Sequence, residues 1–570
     1  MADGFPPFSA AARHAHLAAL AGETWDLLVV GGGITGAAAA RDAAGRGLRV
    51  ALVDAGDVGR GTSSRSSRLI HGGLRYLETG NLKLVFEASA ERRRLLALAT
   101  HLVHPLPFLF PVYRGGPVGY RMLQAGMWLY DGLSLFRNIA RHRMLPRTRA
   151  LDEEPGLRSD GLVGAALYYD AAVDDARLTL ANARGAHQSG AAVVPHVEVV
   201  GFLRDGKGIA GARVRDCLRD GAEAVDVRAR VVLNATGPWS DAVRKLADPG
   251  ATPRLRPTKG VHIMLRRDRL GNRHAITFRS PVDGRVMFVL PWGEFAYVGT
   301  TDTDYAGSPA EVRAEPEDVR YLLDSANSIF PRAGLTESDV LSTWAGIRPL
   351  LAPARGADGG LAASATSREH EIWRDPGGLL NIAGGKLTTY RVMARQVVDA
   401  AVRGLKEEHG TESGISPTAH LPLPGDPHGP WEPFRDHVVR EAVRAGLGAD
   451  TGEHLARAFG EDAEQVLALA RADASLAARL VEGHPYVWAE VVHAVRGEMA
   501  LTLEDVLVRR LHLFYEAADG GLAVAEAVAR RMAAEPGIGW SAAEVEAQVD
   551  AYRAAVRDTR SFGAGGNGGA

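Results

Sequence analysis

Trp25-Asp-Leu-Leu-Val-Val30 runs directly into Gly31-Gly-Gly-Ile-Thr-Gly36, and the fold is read from this junction. The apolar run has the character of a buried parallel strand. Gly31, Gly33 and Gly36 fit G-x-G-x-x-G, and the Ala-rich stretch from Ile34 through Ala44 predicts a helix. Leu48-Arg-Val-Ala-Leu-Val53 predicts a second strand, which ends at Asp54, 21 residues after Gly33. The three glycines serve distinct physical ends. Gly31 permits a tight turn, Gly33 lets a pyrophosphate approach the backbone, and Gly36 lets the helix pack on the strand. The helix start offers free N–H groups and a positive dipole end, and Asp54 sits where an acid can accept from ribose hydroxyls. A lone glycine motif says little. This one, embedded in strand, helix, strand and acid, predicts a dinucleotide site.

Later segments favour FAD over NAD. Arg60-Gly-Thr-Ser-Ser-Arg-Ser-Ser67 is a run of hydroxyls and small residues that can bond phosphate or a ribityl chain, with Thr62, Ser63 and Ser64 as candidates. Arg230-Val-Val-Leu-Asn-Ala-Thr-Gly237 predicts another buried strand, ending at Gly237. Leu379 to Thr389 predicts a strand, the pair Gly384-Gly385 and a new helix start, with Leu387 and Thr388 toward the flavin. A helix N-terminus there can stabilise negative charge on a reduced ring. Three separated contacts suit one long cofactor.

Composition sets the limits. The chain has 570 residues and ordinary globular usage, with 46% hydrophobic and 24% charged residues. A net charge of −2 excludes a generally polybasic nucleic-acid binder and an acidic disordered chain. One cysteine, Cys217, excludes intrachain disulfides and a Cys-rich metal site, and no metal is expected. No apolar run reaches the length of a membrane span, and no signal-peptide pattern opens the chain. Only six of the 66 basic residues are lysine, which gives weight to a lysine inside a motif.

The chain divides as follows. Residues 1–22 read as a lead-in and 23–405 as an α/β oxidoreductase region. The Pro/Gly-rich 406–431 reads as a linker, 432–557 as a helical domain and 558–570 as a flexible tail.

The segments DLLVVGGGITGAAAARDAAGRG, GTSSRSSRLIHGGLRYLE, ATGPWSD, PTKGVHI, FVLPWGEFAYVGTTDTDY, WAGIRPL and AGGKLTTYR together resemble the FAD-dependent glycerol-3-phosphate dehydrogenases. That family lies in the broader glycine/D-amino-acid-oxidase-like flavoprotein group. GEMALTLEDVLVRR resembles its small helical domain. The resemblance covers about Thr24 to Leu511, and HGGLRY with GGKLTTYR is its most specific part. It implies a Rossmann-like FAD-binding domain (about 23–78, 175–245 and 340–405) interleaved with an antiparallel-sheet substrate domain (about 79–174 and 246–339). A C-terminal all-helical domain follows.

The activity implied is oxidation of glycerol 3-phosphate to dihydroxyacetone phosphate, with hydride passing from C2 to flavin N5. Arg75, Tyr76 and Lys386 are then expected toward the phosphate, which an arginine fork or a lysine point charge can hold. Arg348 is expected on the developing alkoxide. A neutral histidine suits the proton acceptor; His262 is favoured over His71, which would pack near the isoalloxazine. The family's peripheral membrane habit implies a quinone acceptor and a cytoplasmic protein lying on the inner face of the cell membrane. The alternatives are an oxidase that uses oxygen, another amino- or hydroxy-acid oxidase of the fold, and a flavin protein without turnover. A homodimer is the oligomer considered.

The surface expected to meet anionic lipid is Arg114–Arg149, which carries seven arginines and one aspartate. Met122, Leu129, Leu133 and Phe136 project to one helix face, flanked by Arg121 and Arg141 and opposite Asp131.

Overall fold

The computed structural model describes residues 7–73, 81–134, 138–206, 208–352 and 369–562. Arg75, Tyr76 and Phe136, singled out above, lie outside the described residues.

The first strand, Thr24–Val30, is hydrogen-bonded in parallel on both sides, to Val50–Val53 and to Val225–Asn234. The parallel set continues to Ala192–Val194 on one side and Leu380–Gly384 on the other. An antiparallel hairpin partner, His370–Arg374, closes that edge. Helices Ile34–Gly45, Asp175–Gln188 and Tyr390–His409 pack together over this sheet. Ala37 to Ala40 are buried to within 3%. Their small side chains let the helix lie close to the strands, and that proximity is what brings its N-terminus to the cofactor rim.

The second sheet is mainly antiparallel and builds the other half of the chamber. Its long strands are Leu255–Arg266, Phe295–Gly299, Val286–Trp292, Ala275–Arg279, Val103–Tyr113 and Leu162–Val173. Val340–Leu351 pairs with Leu255–Arg266 along its length, and Leu69–Ile70 pairs with Leu162–Val173. Sequence order assigns both Val340–Leu351 and Leu69–Ile70 to the FAD-binding stretches. The pairing puts them in the second sheet, because a strand follows its hydrogen-bond partner rather than its place in the sequence.

Two terminal expectations also change. The lead-in contains a helix, Ala10–Gly22, that buries Ala10, Ala12, Arg13, His16 and Leu20. At the other end, helix Ala542–Arg560 runs past the expected boundary, and Phe562 is buried in the core of the second sheet. Thr343 on the strand Val340–Leu351 donates to the Thr559 carbonyl at 2.7 Å. Residues 558–562 therefore pack on the oxidoreductase region.

Between these ends, helices Trp431–Arg444, Ala449–Phe459, Ala463–Ala472 and Trp488–Gly497 enclose their own core around Leu455, Phe459 and Val466. The stretch Asp505–Arg510 is wound with wider turns than an α-helix and is wholly buried. It belongs to one continuous hydrophobic core with the first sheet.

Candidate active site

A cavity of about 550 Å³ opens at the carboxyl ends of the parallel strands, the crevice where this type of sheet binds ligands. Gly31, Gly33, Asp54, Thr62, Ser63, Gly237, Gly384, Gly385, Lys386 and Leu387 all line it. Asp54 and Val197 to Val199 line it side by side, with the Val197 N–H donating to the Asp54 carbonyl, and the 384–387 turn, Arg65 and Pro349 line it as well.

At Gly31, Gly36 and Gly384 the backbone leaves no space for a side chain. Gly31 has φ +107°, and a Cβ there would stand 2.7 Å from the Ala235 carbonyl oxygen. A methyl on Gly36 would run into the Gly31 carbonyl itself. Gly384, at φ +79°, would put a Cβ 2.5 Å from the Glu369 carbonyl oxygen. These glycines keep the main chain bare at the strand–helix junction, the close backbone approach that a pyrophosphate requires. Asp54 accepts from Gly32 N–H at 2.6 Å and from Gly56 N–H at 2.8 Å. Burial pushes its carboxyl up, against the pull of those N–H groups. The Ser63 hydroxyl accepts from Ile34 N–H at the helix start, 2.9 Å away, and Thr62 donates to the Ile347 carbonyl at 2.6 Å. These residues fit an elongated diphosphate cofactor.

Other expected residues stand back from the cavity. Gly36 lies beneath Gly31, and Ser64 is buried. Thr388 is tied to the His71 backbone, accepting from its N–H at 3.1 Å. His71 itself does not line the cavity. His262 and Arg348 occupy one face of the paired strands Leu255–Arg266 and Val340–Leu351, where His262 stands opposite Trp344 and Thr258 opposite Arg348. Between them Gly260 faces Gly346. Gly260 makes room for the Arg348 guanidinium, and Gly346 lets the backbone of Arg65 approach.

His262 is 2% exposed. Its ring stacks on Trp344 at 4.9 Å, and Nε2 is 2.9 Å from the Ser67 hydroxyl. Burial, reinforced by Arg348 and Arg68, holds its pKa well below the usual histidine value, so the ring is neutral at neutral pH. Arg348 donates to Asp302 at 3.0 Å, to the Thr300 hydroxyl at 3.0 Å and to the Thr301 carbonyl at 3.1 Å. Ser67, Asp302, Thr300 and the Val197–Val199 wall escaped the sequence reading. Ser67 and Asp302 lie inside quoted motifs, and their chemistry could have drawn attention. Nothing in a single sequence marks Val197.

Residues 26–399 match the family described as FAD dependent oxidoreductase, and residues 416–545 match the C-terminal domain of alpha-glycerophosphate oxidase. Glycerol-3-phosphate dehydrogenase 2 of Mycobacterium tuberculosis is 41% identical over 536 residues, 94% of this chain and 88% of that one. The chain belongs to the glycerol-3-phosphate dehydrogenase branch of the FAD-dependent oxidoreductases. Another relative in this branch is the aerobic glycerol-3-phosphate dehydrogenase of Staphylococcus haemolyticus, 37% identical over 87% of this chain and 88% of that one. The FAD-complexed glycerol-3-phosphate dehydrogenase structure from Bacillus halodurans superposes with a TM-score of 0.80 at 30% identity, covering 97% of this chain and 99% of that one. The L-alpha-glycerophosphate oxidase of Mycoplasma pneumoniae, 19% identical with a TM-score of 0.52, shares the fold over 69% of this chain and 97% of its own. As a member of this FAD-dependent family the protein is an oxidoreductase and its cofactor is FAD.

The crowding at Gly36 gives a direct prediction. Gly36→Ala places a methyl against the Gly31 carbonyl, and neither backbone can retreat without opening the strand–helix junction. The purified variant is expected to carry little or no flavin, read from the ratio of flavin to protein absorbance. A fully flavinylated Gly36→Ala protein would contradict the tight crossing.

Proposed function

We propose that the protein oxidises sn-glycerol 3-phosphate to dihydroxyacetone phosphate and passes the electrons to a membrane quinone. The observation that carries the substrate is likeness over nearly the whole chain to proteins named glycerol-3-phosphate dehydrogenase. Bound FAD supplies the acceptor for the hydride that leaves C2 of the substrate. Gly31, Gly33, Thr62, Ser63, Asp54, Gly237 and the 384–388 turn hold that cofactor, with Gly36 and Ser64 packing behind. Lys386, in the cavity wall, and Arg348 supply fixed positive charge for a phosphate monoester and a developing alkoxide. Arg75 and Tyr76 complete the phosphate site on the strength of the HGGLRY motif alone.

The hydroxyl proton needs a route, because His262 is sealed. Ser67 is half-buried and bonded to it. In our reading the substrate hydroxyl gives its proton to Ser67 Oγ as the Ser67 proton moves to His262 Nε2. This requires the resting ring to carry its proton on Nδ1. His71, tied to Thr388, packs toward the flavin. Asp302 and Thr300 hold the Arg348 guanidinium in the orientation that the alkoxide requires.

The quinone and membrane reading rests on an exposed apolar patch. Helix Tyr120–Leu133 buries Leu123, Met127, Tyr130 and Asp131 and turns Met122, Trp128 and Leu129 outward at 58%, 52% and 47% exposure. The neighbouring helix Leu82–Leu98 adds exposed Leu82 and Phe86. Leu133, expected in the outward stripe, is only partly exposed and packs on the core. Exposed Arg114, Arg121, Arg141, Arg143, Arg147 and Arg149 accompany the patch in sequence. Large apolar side chains beside arginines suit a headgroup boundary, where rings and stems enter the bilayer and charges stay with the lipid phosphates. Among the described residues no helix is long and apolar enough to cross a membrane.

Glycerol 3-phosphate should bleach the flavin anaerobically, and a quinone analogue should restore its colour faster than oxygen does. No bleaching would overturn the substrate, and faster recovery with oxygen would make the enzyme an oxidase. In Arg348→Ala and Lys386→Ala the flavin should stay bound while kcat/KM falls about one to two decades, or ~1.5–3 kcal/mol.

The proton route is tested by stopped-flow flavin reduction. His262→Asn should slow it by about two to four decades, and Ser67→Ala should slow it too. Because the folded-state pKa of His262 is depressed, the wild-type rate should stay level as pH falls through about 6.5 and decline only well below it. A decline centred near 6.5 would take the role away from His262.

For the membrane, a protein with Met122, Trp128 and Leu129 all changed to Ser should lose its salt-resistant binding to anionic liposomes. Its flavin should still be reduced by substrate, while turnover with quinone falls. Liposome binding at the wild-type level would place the membrane surface elsewhere.

A further inference from the structure

The wall of the FAD cavity beside Asp54 is built on two loops. Residues 54–57 follow the strand Val50–Val53, and residues 195–196 join its parallel neighbour Ala192–Val194 to the strand Val197–Asp205. The loops are stitched to each other by main-chain bonds. Val197 N–H donates to the Asp54 carbonyl at 2.6 Å, and His196 N–H donates to the Gly56 carbonyl at 2.8 Å. Loops at strand ends are the parts of such a sheet most prone to local opening. Here both are gripped from behind, by two segments from opposite ends of the chain.

From the amino-terminal helix, Arg13 reaches across with its whole guanidinium. Nε donates to the Pro195 carbonyl and Nη2 to the His196 carbonyl, each at 3.1 Å. The same group makes a two-pronged pair with Asp216, at 3.1 and 2.6 Å. From the carboxy-terminal domain, Asp505 meets His196 Nε2 at 3.0 Å. Arg510 makes a two-pronged pair with Asp57, at 2.6 and 3.0 Å, and Arg509 bridges Asp57 and Asp505. Asp57 and Asp505 are completely buried, and Arg509 and Arg510 nearly so. These side-chain contacts are charge-assisted, and those among Asp57, Asp505, Arg509 and Arg510 are shielded from water, the setting in which such bonds are strongest and least tolerant of a missing partner.

We propose that the helix Ala10–Gly22 and the turn Asp505–Arg510 form a two-sided clamp on the ribose-side wall of the FAD cavity, and that this clamp sets how long FAD stays bound. It gives a role to the lead-in and to part of the helical domain, for which the hydride chemistry has no use. The clamp touches neither the 384–388 turn nor the Ser67–His262 pair. Loosening it should release cofactor without altering the reaction of cofactor still in place.

The test uses holoenzyme. Arg13→Met, His196→Gln and Asp505→Asn are diluted into flavin-free buffer, and FAD release is followed by the rise in flavin fluorescence. In parallel, anaerobic reduction by glycerol 3-phosphate is timed with FAD in excess. Release about tenfold faster or more in Arg13→Met and Asp505→Asn, with the reduction rate kept within about twofold of wild type, supports the clamp; each removes at least one charge-assisted contact. Arg13→Lys, which keeps the charge against Asp216 but lacks the fork, should fall between. Release at the wild-type rate in Arg13→Met and His196→Gln overturns the proposal. So does faster release accompanied by an equal loss of reduction rate or by a lower melting temperature in excess FAD, since either shows a loosened fold rather than a loosened wall. Should Asp505→Asn fail to fold, the two milder variants and Arg13→Lys decide the matter alone. A failed substrate assignment would appear instead as an unbleached wild-type flavin, and the release measurement does not depend on it.

Discussion

The arrangement depends on one close crossing. The backbone leaving Thr24–Val30 must pass Ala235 on one side and Gly36 on the other with no side chain between them. Three chain segments converge there because each ends a parallel strand or begins the helix that follows one. The N–H groups of Gly31 and Ala235 pair there with the Val53 and Val30 carbonyls, and the helix start just beyond the crossing offers the binding surface for a diphosphate. The rest of the fold keeps this gap narrow. Small alanines let the first helix sit low, and the helix Tyr390–His409 packs beside it. The second sheet presses Gly346 onto Arg65.

Charge is the second organising element. The chain is nearly neutral, yet many of its arginines are buried against acids. Arg68 is 1% exposed, lies 3.8 Å from Asp175, and stacks over Trp292 at 4.3 Å and Trp344 at 5.1 Å. Tyr515 from the helical domain completes its aromatic surround. A guanidinium held by ring faces keeps its charge without a full set of hydrogen bonds. It sits one residue from Ser67, so the electrostatics around His262 are fixed partly by residues from the far end of the chain.

The features that could be read in sequence share a property. Gly31, Gly33, Gly36, Asp54 and the Gly384-Gly385 pair work through backbone shape at fixed local spacing, and spacing is visible in a string of letters. The strand–helix–strand unit follows from apolar runs with their glycine punctuation. Long-range partnership was not legible. The strand Val340–Leu351 looks like part of the flavin half because it lies next to that half in sequence; its register with Leu255–Arg266 is set by pairing across a long intervening stretch. Leu133 falls on the outward stripe of an ideal helical projection, but packing at the helix end turns it inward. Arg13 looks like one arginine among many in a featureless lead-in, since its partners Pro195, His196 and Asp216 are 182, 183 and 203 residues away. Ser67 is one of several hydroxyls in a row, and only the position of His262 distinguishes it.

The pairing of Asp57 with Arg510 also has a meaning in time. The two residues are 453 positions apart. At the usual pace of synthesis, about 5–20 residues per second, Asp57 leaves the ribosome tens of seconds before its partner exists. Through that interval the carboxylate has only water to stabilise it, and a loop built to be buried stays open. The helix Ala10–Gly22 emerges early, but Arg13 must likewise wait for Asp216. The cofactor wall at residues 54–57, although made early, is thus gripped last, when the end of the chain folds back over it.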